Sequence, residues 1–362
     1  MKKVWAAGLL WMALCVAATS ALAQIGFAEV KKQNVNMRQS PSGKAITQLD
    51  APRSVYVFEE KTVGEHLWCH VYTYIGKNPR EGWIRGDMLR FLSEEFTDVM
   101  DVEAGSKYVL GVRADGTVAI LGDDMPHMPC IDTVRSWMGI REAVSQSVAV
   151  NALTEDGIVR AVGKFDESAG FRAAKLTGHA GFLIDEGGRF IADALGDYAQ
   201  ERAAWLDGFA VREIAGRDST PYYALTTDGV IIRRPDADPY PFSARESGFD
   251  ALAYTDIDMF WNHIVALRAD GRVDAMGDGM YEDVLDTGNW EDVVKVEAGE
   301  NFTLGLRRDG TVYFAGADKA HAAQVAAWRD VVDISAGPRF CVALMRDGSV
   351  AMAGIYSEEY FR

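Results

Sequence analysis

A two-residue turn signal, Asp-Gly, returns down most of this chain at intervals too regular for chance. It stands at Asp115-Gly116, Asp156-Gly157, Asp228-Gly229, Asp270-Gly271, Asp309-Gly310 and Asp347-Gly348, with Gly187-Gly188 as a degraded seventh. Counted on the second glycine, the intervals are 41, 31, 41, 42, 39 and 38 residues. The clearest copy runs from Trp290 to Gly316, where Val294, Val296, Phe302, Leu304 and Leu306 fall on every second residue. That is the period of a half-buried strand and not of a helix. Asp309-Gly310 lies where a tight hairpin needs positive φ, which glycine adopts without steric cost. One such unit has an apolar face and nothing to lay it on, so it must stack on its copies. Repeats of this length with three or four short strands are the signature of radial propeller blades.

Finer detail repeats as well. Val102-Glu103-Ala104-Gly105 and Ile334-Ser335-Ala336-Gly337 each end 11 residues before their turn glycine, as Gly299 does. The pattern Asp-Val-Val-x-Val-x-Ala-Gly, then Leu-x-Leu-x-x-Asp-Gly-Thr-Val, then Ala-Gly, resembles the repeats of the regulator of chromosome condensation family. The resemblance covers about residues 94–362 and implies a seven-bladed β-propeller. It is close in the first, sixth and seventh repeats and loose in the third and fourth, where Pro221 interrupts. The fold class expected is therefore all-β.

Met1-Lys2-Lys3, an apolar run from Val4 to about Ala18, and Ala21-Leu22-Ala23 before Gln24 have the form of a cleaved secretory signal over residues 1–23. The apolar run is short for a bilayer span, so no membrane span is expected after cleavage. The whole chain holds 37 basic and 53 acidic residues; without Lys2 and Lys3 it holds 35 and 53, a formal charge of −18. Such a surface repels phosphate backbones, and no Lys/Arg block compensates, which excludes nucleic acid as a partner. The family's best-known member acts at chromatin and on a small GTPase. An exported acidic chain departs from both settings, and neither function is carried over. Cys69, Cys130 and Cys341 are not at metal spacing and, being three, cannot all pair internally; Cys69 and Cys341, in apolar alternating stretches, read as small buried hydrophobes.

Residues 24–93 do not match the repeat. Val35-Asn36-Met37-Arg38-Gln39-Ser40-Pro41, a strand ending near Leu49, Val55–Phe58, Trp68–Tyr72, Glu81–Arg85 and Met88-Leu89 predict about five short strands. The order Val-Asn-x-Arg-x-x-Pro, Trp-x-x-Val, Gly-Trp-Ile resembles the bacterial Src-homology-3-like (SH3-like) domain. That resemblance implies a small barrel that attaches exported proteins to wall peptide, envelope polymers or proteins. Trp68, Tyr72, Tyr74 and Trp83 are its candidate groove residues, since aromatic rings give flat apolar area with little entropy to lose.

The repeats are joined by long connections, and Trp137, Trp205, Trp261, Tyr222 and Tyr223 are candidate anchors for a partner there. Trp290 and Trp328 precede matching strands and read as packing between blades. Helical turns are expected near 199–206 and 319–327.

No linear catalytic signature is present: no Gly-x-Ser-x-Gly, His-Glu-x-x-His, phosphate-cradling loop or Cys-x-x-Cys. His66, His70, His127, His179, His263 and His321 are scattered. The acidic pairs Asp256/Asp258 and Asp236/Asp238, and the group Asp278, Glu282 and Asp283, form no complete cation loop and read as solvated surface. No cofactor, metal or catalytic residue is assigned. The expectation is a monomeric, secreted or envelope-associated, non-enzymatic protein whose barrel tethers it and whose propeller faces bind a protein or glycan. Two alternatives stand beside it: a wall-active hydrolase or lyase with residues converging in a central funnel, and a secreted inhibitor of an enzyme.

Overall fold

The structure is a computed structural model. It describes residues 26–75, 78–106, 108–122, 131–146, 149–163, 169–177, 182–191, 201, 203–217, 220–235, 249, 253–261, 263–277 and 283–354. The proposed signal, Cys130, His127, His179, Asp236, Asp238, Asp278 and Glu282 lie outside these. The chain is all-β and divides into two compact units, one up to Glu95 together with Leu121–Asp123, the other comprising Phe96–Ile120 and the rest from Asp124. No helix among the described residues is long and apolar enough to cross a membrane.

The first unit is one antiparallel sheet of seven strands: β1 (Phe27–Val30), β2 (Val35–Arg38), β3 (Ala45–Leu49), β4 (Ser54–Val63), β5 (His66–Ile75), β6 (Asn78–Arg85) and β7 (Leu89–Phe91). Their order is β3-β2-β6-β5-β4-β1-β7. Alternation explains its faces. In β5, Cys69 and Val71 point into a core with Ala28, Met37, Val55, Val57, Ile84 and Leu89, while Trp68, His70 and Tyr72 fall on the other side. Sequence patterning foresaw about five strands. It missed β1, whose four residues are all buried and show no alternation, and the full length of β4 and β5; in β4 the run Glu59–Thr62 is polar and exposed on both faces.

Among the described residues the second unit holds seven small sheets, six of three strands and one of two. Each opens with a lead strand: Val99–Ala104, Ile140–Gln146, Lys175–Thr177, Val211–Arg217, Tyr254–Phe260, Val293–Ala298 and Val331–Ala336. Successive lead strands lie against one another, and the last lies against the first.

The turn glycines make these joints. The carbonyl oxygens of Gly116, Gly157, Gly188, Gly229, Gly271 and Gly310 accept from the backbone N–H of Ile140, Ala173, Val211, Tyr254, Val293 and Val331 in the next sheet. Gly348 accepts from Val99 and closes the cycle. The seven bonds span 2.7 to 3.2 Å, and the degraded Gly187-Gly188 turn serves as well as the others. A second reason for glycine appears here besides its positive φ: a Cβ on Gly310 would stand 3.2 Å from the backbone of Asp330 in the next sheet. Asp98, Asp292 and Asp330 receive these turns at φ of 56°, 59° and 56°, a left-handed conformation that Asp tolerates better than most residues.

Packing follows the same joints. Trp290 lies with Val265, Leu267 and Val273 of one sheet and Val293, Val296 and Ala298 of the next; Trp328 does the same one joint later. Trp137 belongs with them. It is 6% exposed and sits among Tyr108, Leu110, Ile140 and Ala152, so it is a packing residue and not a surface anchor. Trp137, Trp290 and Trp328 each stand three residues before their lead strand, and Phe96 takes that place in the first sheet. That shared spacing is the signal that distinguishes Trp137 from a loop aromatic. The helix Lys319–Val325 forms as expected, N-capped by Asp318, whose Oδ1 accepts from the backbone N–H of Ala320 and His321. Ala204–Leu206 is a single 3-10 turn.

Candidate functional site

The lead strands alternate apolar and charged residues. In the first, Val102 and Ala104 are buried between sheets while Asp101 and Glu103 take the opposite face. The equivalent positions around the ring are Asp101, Glu142, Lys175, Glu213, Asp256, Lys295 and Asp333. Each acts electrostatically on others of the set. A closed cycle of strands brings these side chains to a common axis. Five carboxylates against two lysines leave this layer with a formal charge of −3.

Three ion pairs hold part of the charge: Lys175 with Glu213, and Lys295 with Asp333 at 2.7 Å and with Glu297 at 3.0 Å. Burial opposes the Lys295 charge, but Glu297 and Asp333 outweigh it and hold the ammonium well above the usual lysine range. Burial, reinforced by Asp333, pushes the Asp101 carboxyl up to about 6. It pushes Asp256 to about 6, with Asp258 adding to it and Val296 N–H and Lys295 opposing. Glu142 rises to about 7 through burial and then Asp101. Glu213 rises to about 7 through burial, Lys175 opposing.

The same strands carry a second set of bonds between sheets. Glu103 accepts from Ser145 N–H, Glu142 from Leu176, Thr177 from Ile214, Asp256 from Val296, Asp258 from Ala298, Glu297 from Ala336, and Ser335 from Ala104. At the remaining joint the Arg212 guanidinium donates to the carbonyl of Tyr254 at 2.7 Å. Asp256 and Asp258, expected as solvated surface, are therefore structural acceptors for the neighbouring strand. Period-2 reading assigned them to an outer polar face because it cannot tell an axis from a surface. Among the described residues no group of three or more His, Cys, Asp or Glu side chains is arranged to hold a metal ion.

A pH dependence follows. These carboxyls bind protons more tightly folded than unfolded, so in the window between the ordinary carboxylate range and about pH 7 the folded state holds more protons, and stability falls as pH rises. His263 and His321, pushed down to about 4 by burial, oppose this below pH 6.5, but the four carboxyls outweigh them, so the melting temperature is expected to be higher near pH 5 than near pH 8 by a few degrees, as calorimetry at matched ionic strength would show. A flat or opposite profile would mean that proton uptake by the axial carboxyls does not outweigh the cost of charging His263 and His321.

Near their first residues the lead strands share a bulge. The register slips between Val99 and Asp101, Val293 and Lys295, and Val331 and Asp333, which throws Met100, Val294 and Val332 out of the pleat. They are 68%, 40% and 41% exposed. They occupy three successive sheets of the cycle and immediately precede Lys295, Asp333 and Asp101. Beside Val294, a hollow of about 250 Å³ runs along Thr255 and the Asp270-Gly271 turn.

The first unit has a cavity of its own, a groove of about 490 Å³ between the 32–38 segment and the start of β5. Lys32, Arg38, His66 and Arg85 contribute cationic or proton-accepting nitrogen, Asn34 and Asn36 amides, and Trp68 and Met88 apolar surface; no carboxylate is among its lining residues. Arg85 is held by Asp87 through two hydrogen bonds of 2.5 and 2.7 Å, and Arg38 donates to Gly43 O. Trp68, one of the lining residues, is 6% exposed, and among the described residues its Nε1–H has no hydrogen-bond partner. A buried donor left unmet costs about 1–3 kcal/mol.

The other sequence candidates are dispersed. Trp83 is half-buried and stacks on His70 with ring centroids 4.9 Å apart, and His70 Nε2 meets Glu81 at 3.0 Å. Tyr72 packs edge-on against Phe58. Tyr74 is in β5, but its side chain lies outside the described residues. Tyr223 is 3% exposed in a core with Leu225, Tyr254 and Ile264, so it is a packing residue and not a surface anchor. Tyr222 is half-buried under the Arg234 guanidinium, Trp205 half-buried beside Leu206, and Trp261 55% exposed. Cys69 and Cys341 are buried free thiols, as expected; Cys341 Sγ lies 3.1 Å from His321 Nε2. Burial pushes that thiol far up and the imidazole down to about 4, so the pair is neutral and makes no thiolate nucleophile.

No family model and no curated protein matches the sequence. Solved structures similar to it include the CRINKLY WD40 ectodomain of the Arabidopsis thaliana receptor kinase ACR4, at 13% identity over 71% of this chain and 79% of that one, with a TM-score of 0.38. Human WBSCR16 aligns at 11% identity over 89% and 99% of the two chains, TM-score 0.38. Prp20p from Saccharomyces cerevisiae, described with binding to Gsp1p and histones, aligns at 14% identity over 93% and 69%, TM-score 0.26. The propeller-repeat fold rests on the cycle of sheets within this chain and not on these likenesses.

Proposed function

We propose that this is an exported, non-enzymatic binding protein, built as a seven-bladed β-propeller behind an SH3-like barrel. The barrel attaches the chain to cell wall or envelope, and one propeller face binds a protein partner. The observation that carries the reading is the arc of Met100, Val294 and Val332, three exposed apolar side chains fixed by backbone bulges beside the acid-rich layer of the lead strands. Apolar residues held on a rigid frame beside complementary charge are what a protein interface requires, since little entropy is lost on docking. The acid surplus below the arc selects a partner that presents a basic side chain.

The test uses the doubly substituted Met100→Asp, Val332→Asp chain. Both sites are exposed, so folding should be unaffected, while capture of a basic partner from an envelope extract should fall at least tenfold, a change of about 1.4 kcal/mol. A partner held equally by both forms would place the docking surface elsewhere. Separately, sedimentation of the full chain with wall fragments tests attachment.

A further inference from the structure

We infer that the groove of the first unit is a binding site for an acidic saccharide, a short run of sugars bearing carboxylates. The proposal rests on reading that unit as the attachment domain and names the chemistry it would recognise. The chain as a whole is strongly acidic, with 53 acidic against 37 basic residues, yet among the described residues no acidic side chain lines this groove. Lys32 and Arg38 supply positive charge, Asn34 and Asn36 supply donors and acceptors suited to hydroxyls, and Met88 offers apolar surface to the C–H faces of a sugar ring. A neutral saccharide would leave the cations without a counter-charge. A bare inorganic anion would leave the amides and the apolar floor unused.

Trp68 is the second, independent observation. Its ring is more than nine-tenths buried, and its one polar atom has no partner. An indole placed only for packing would be served as well by phenylalanine at this position. Its Nε1–H supplies a donor that an acceptor-rich ligand satisfies once the flexible side chains around it shift. Across the sheet Trp68 pairs with Arg85, another residue that lines the groove.

The experiment is calorimetric titration of the full chain with trigalacturonate, with maltotriose and inorganic triphosphate as controls. Trigalacturonate should bind, more weakly at higher salt, and maltotriose should not. Trp68→Phe keeps the ring's packing and deletes the donor; it should raise the dissociation constant about tenfold with little change in melting temperature. Lys32→Gln, at an exposed site, should weaken binding severalfold and reduce the salt dependence. Equal binding of maltotriose, tighter binding of triphosphate, or unchanged affinity in both variants would overturn the assignment. If the chain sediments with wall fragments but ignores trigalacturonate, attachment stands and this ligand class falls. If trigalacturonate binds and wall fragments are not pelleted with it, the groove stands and the attachment reading falls.

Discussion

Lys295→Met is expected to destabilise the ring by about 3 kcal/mol near pH 8 and by a third of that or less near pH 5. The substitution keeps the stem that lies along the lead strand and removes the charge that Asp333 and Glu297 flank at 2.7 and 3.0 Å. With the ammonium gone, Asp333, Glu297, Asp256 and Asp101 repel one another where water is scarce, and the Ile334 carbonyl loses its donor. The Lys295 side chain is 34% exposed, so the full penalty of a dry ion pair does not apply and the loss stays at about 3 kcal/mol. Lowering the pH restores stability because Asp101 and Asp256, raised to about 6, take up protons and cease to repel. Thermal melts of both forms at the two pH values check this, with an expected difference of roughly 6–12 °C near pH 8. An equal loss at both pH values would show that Lys295 acts through packing and its one backbone bond, and not through the axial charges.

Gly348→Val is the second large effect, and it bears on closure. Gly348 has φ of +82°, and a Cβ there would stand 3.2 Å from the backbone of Asp98, in the sheet at the opposite end of the repeat. A β-branched residue suffers both the left-handed backbone and the contact, at a combined cost of about 3–4 kcal/mol. Gly310→Val meets the same geometry at an internal joint, with φ of +80° and Asp330 at 3.2 Å. In a closed ring the two substitutions break equivalent joints, and their denaturation midpoints should fall together. A much milder Gly348→Val would mean that the first and last sheets contribute little to each other's stability.

The pH profile, the Met100/Val332 pair and Trp68 test different parts of the molecule. The axial carboxyls concern the stability of the ring, the apolar arc concerns a partner, and the groove concerns the first unit alone. Loss of one effect leaves the others standing.

The residues show why some of this was legible beforehand. The Asp-Gly turns and the alternation around them are local: a hairpin needs positive φ within two residues, and a half-buried strand needs a period of two. Both leave marks that a single sequence preserves, and from those marks came the all-β class, the repeat and the place of Trp290 and Trp328. Trp137 carried the same three-residue offset but stood among irregular residues, and its burial became visible only when the two sheets closed over it.

What the tertiary structure alone decided is where the polar faces look. Asp101, Glu142, Asp256 and Lys295 have the alternation of residues facing bulk water. Only ring closure brings strands some 40 residues apart close enough for their charges to act on one another and for a carboxylate to bind the next strand's backbone. The bulges that expose Met100, Val294 and Val332, and the segment that lies over Trp68 to form the groove, are likewise products of register and packing between distant segments. Local sequence sets which face of a strand is apolar; it does not set what the other face will meet.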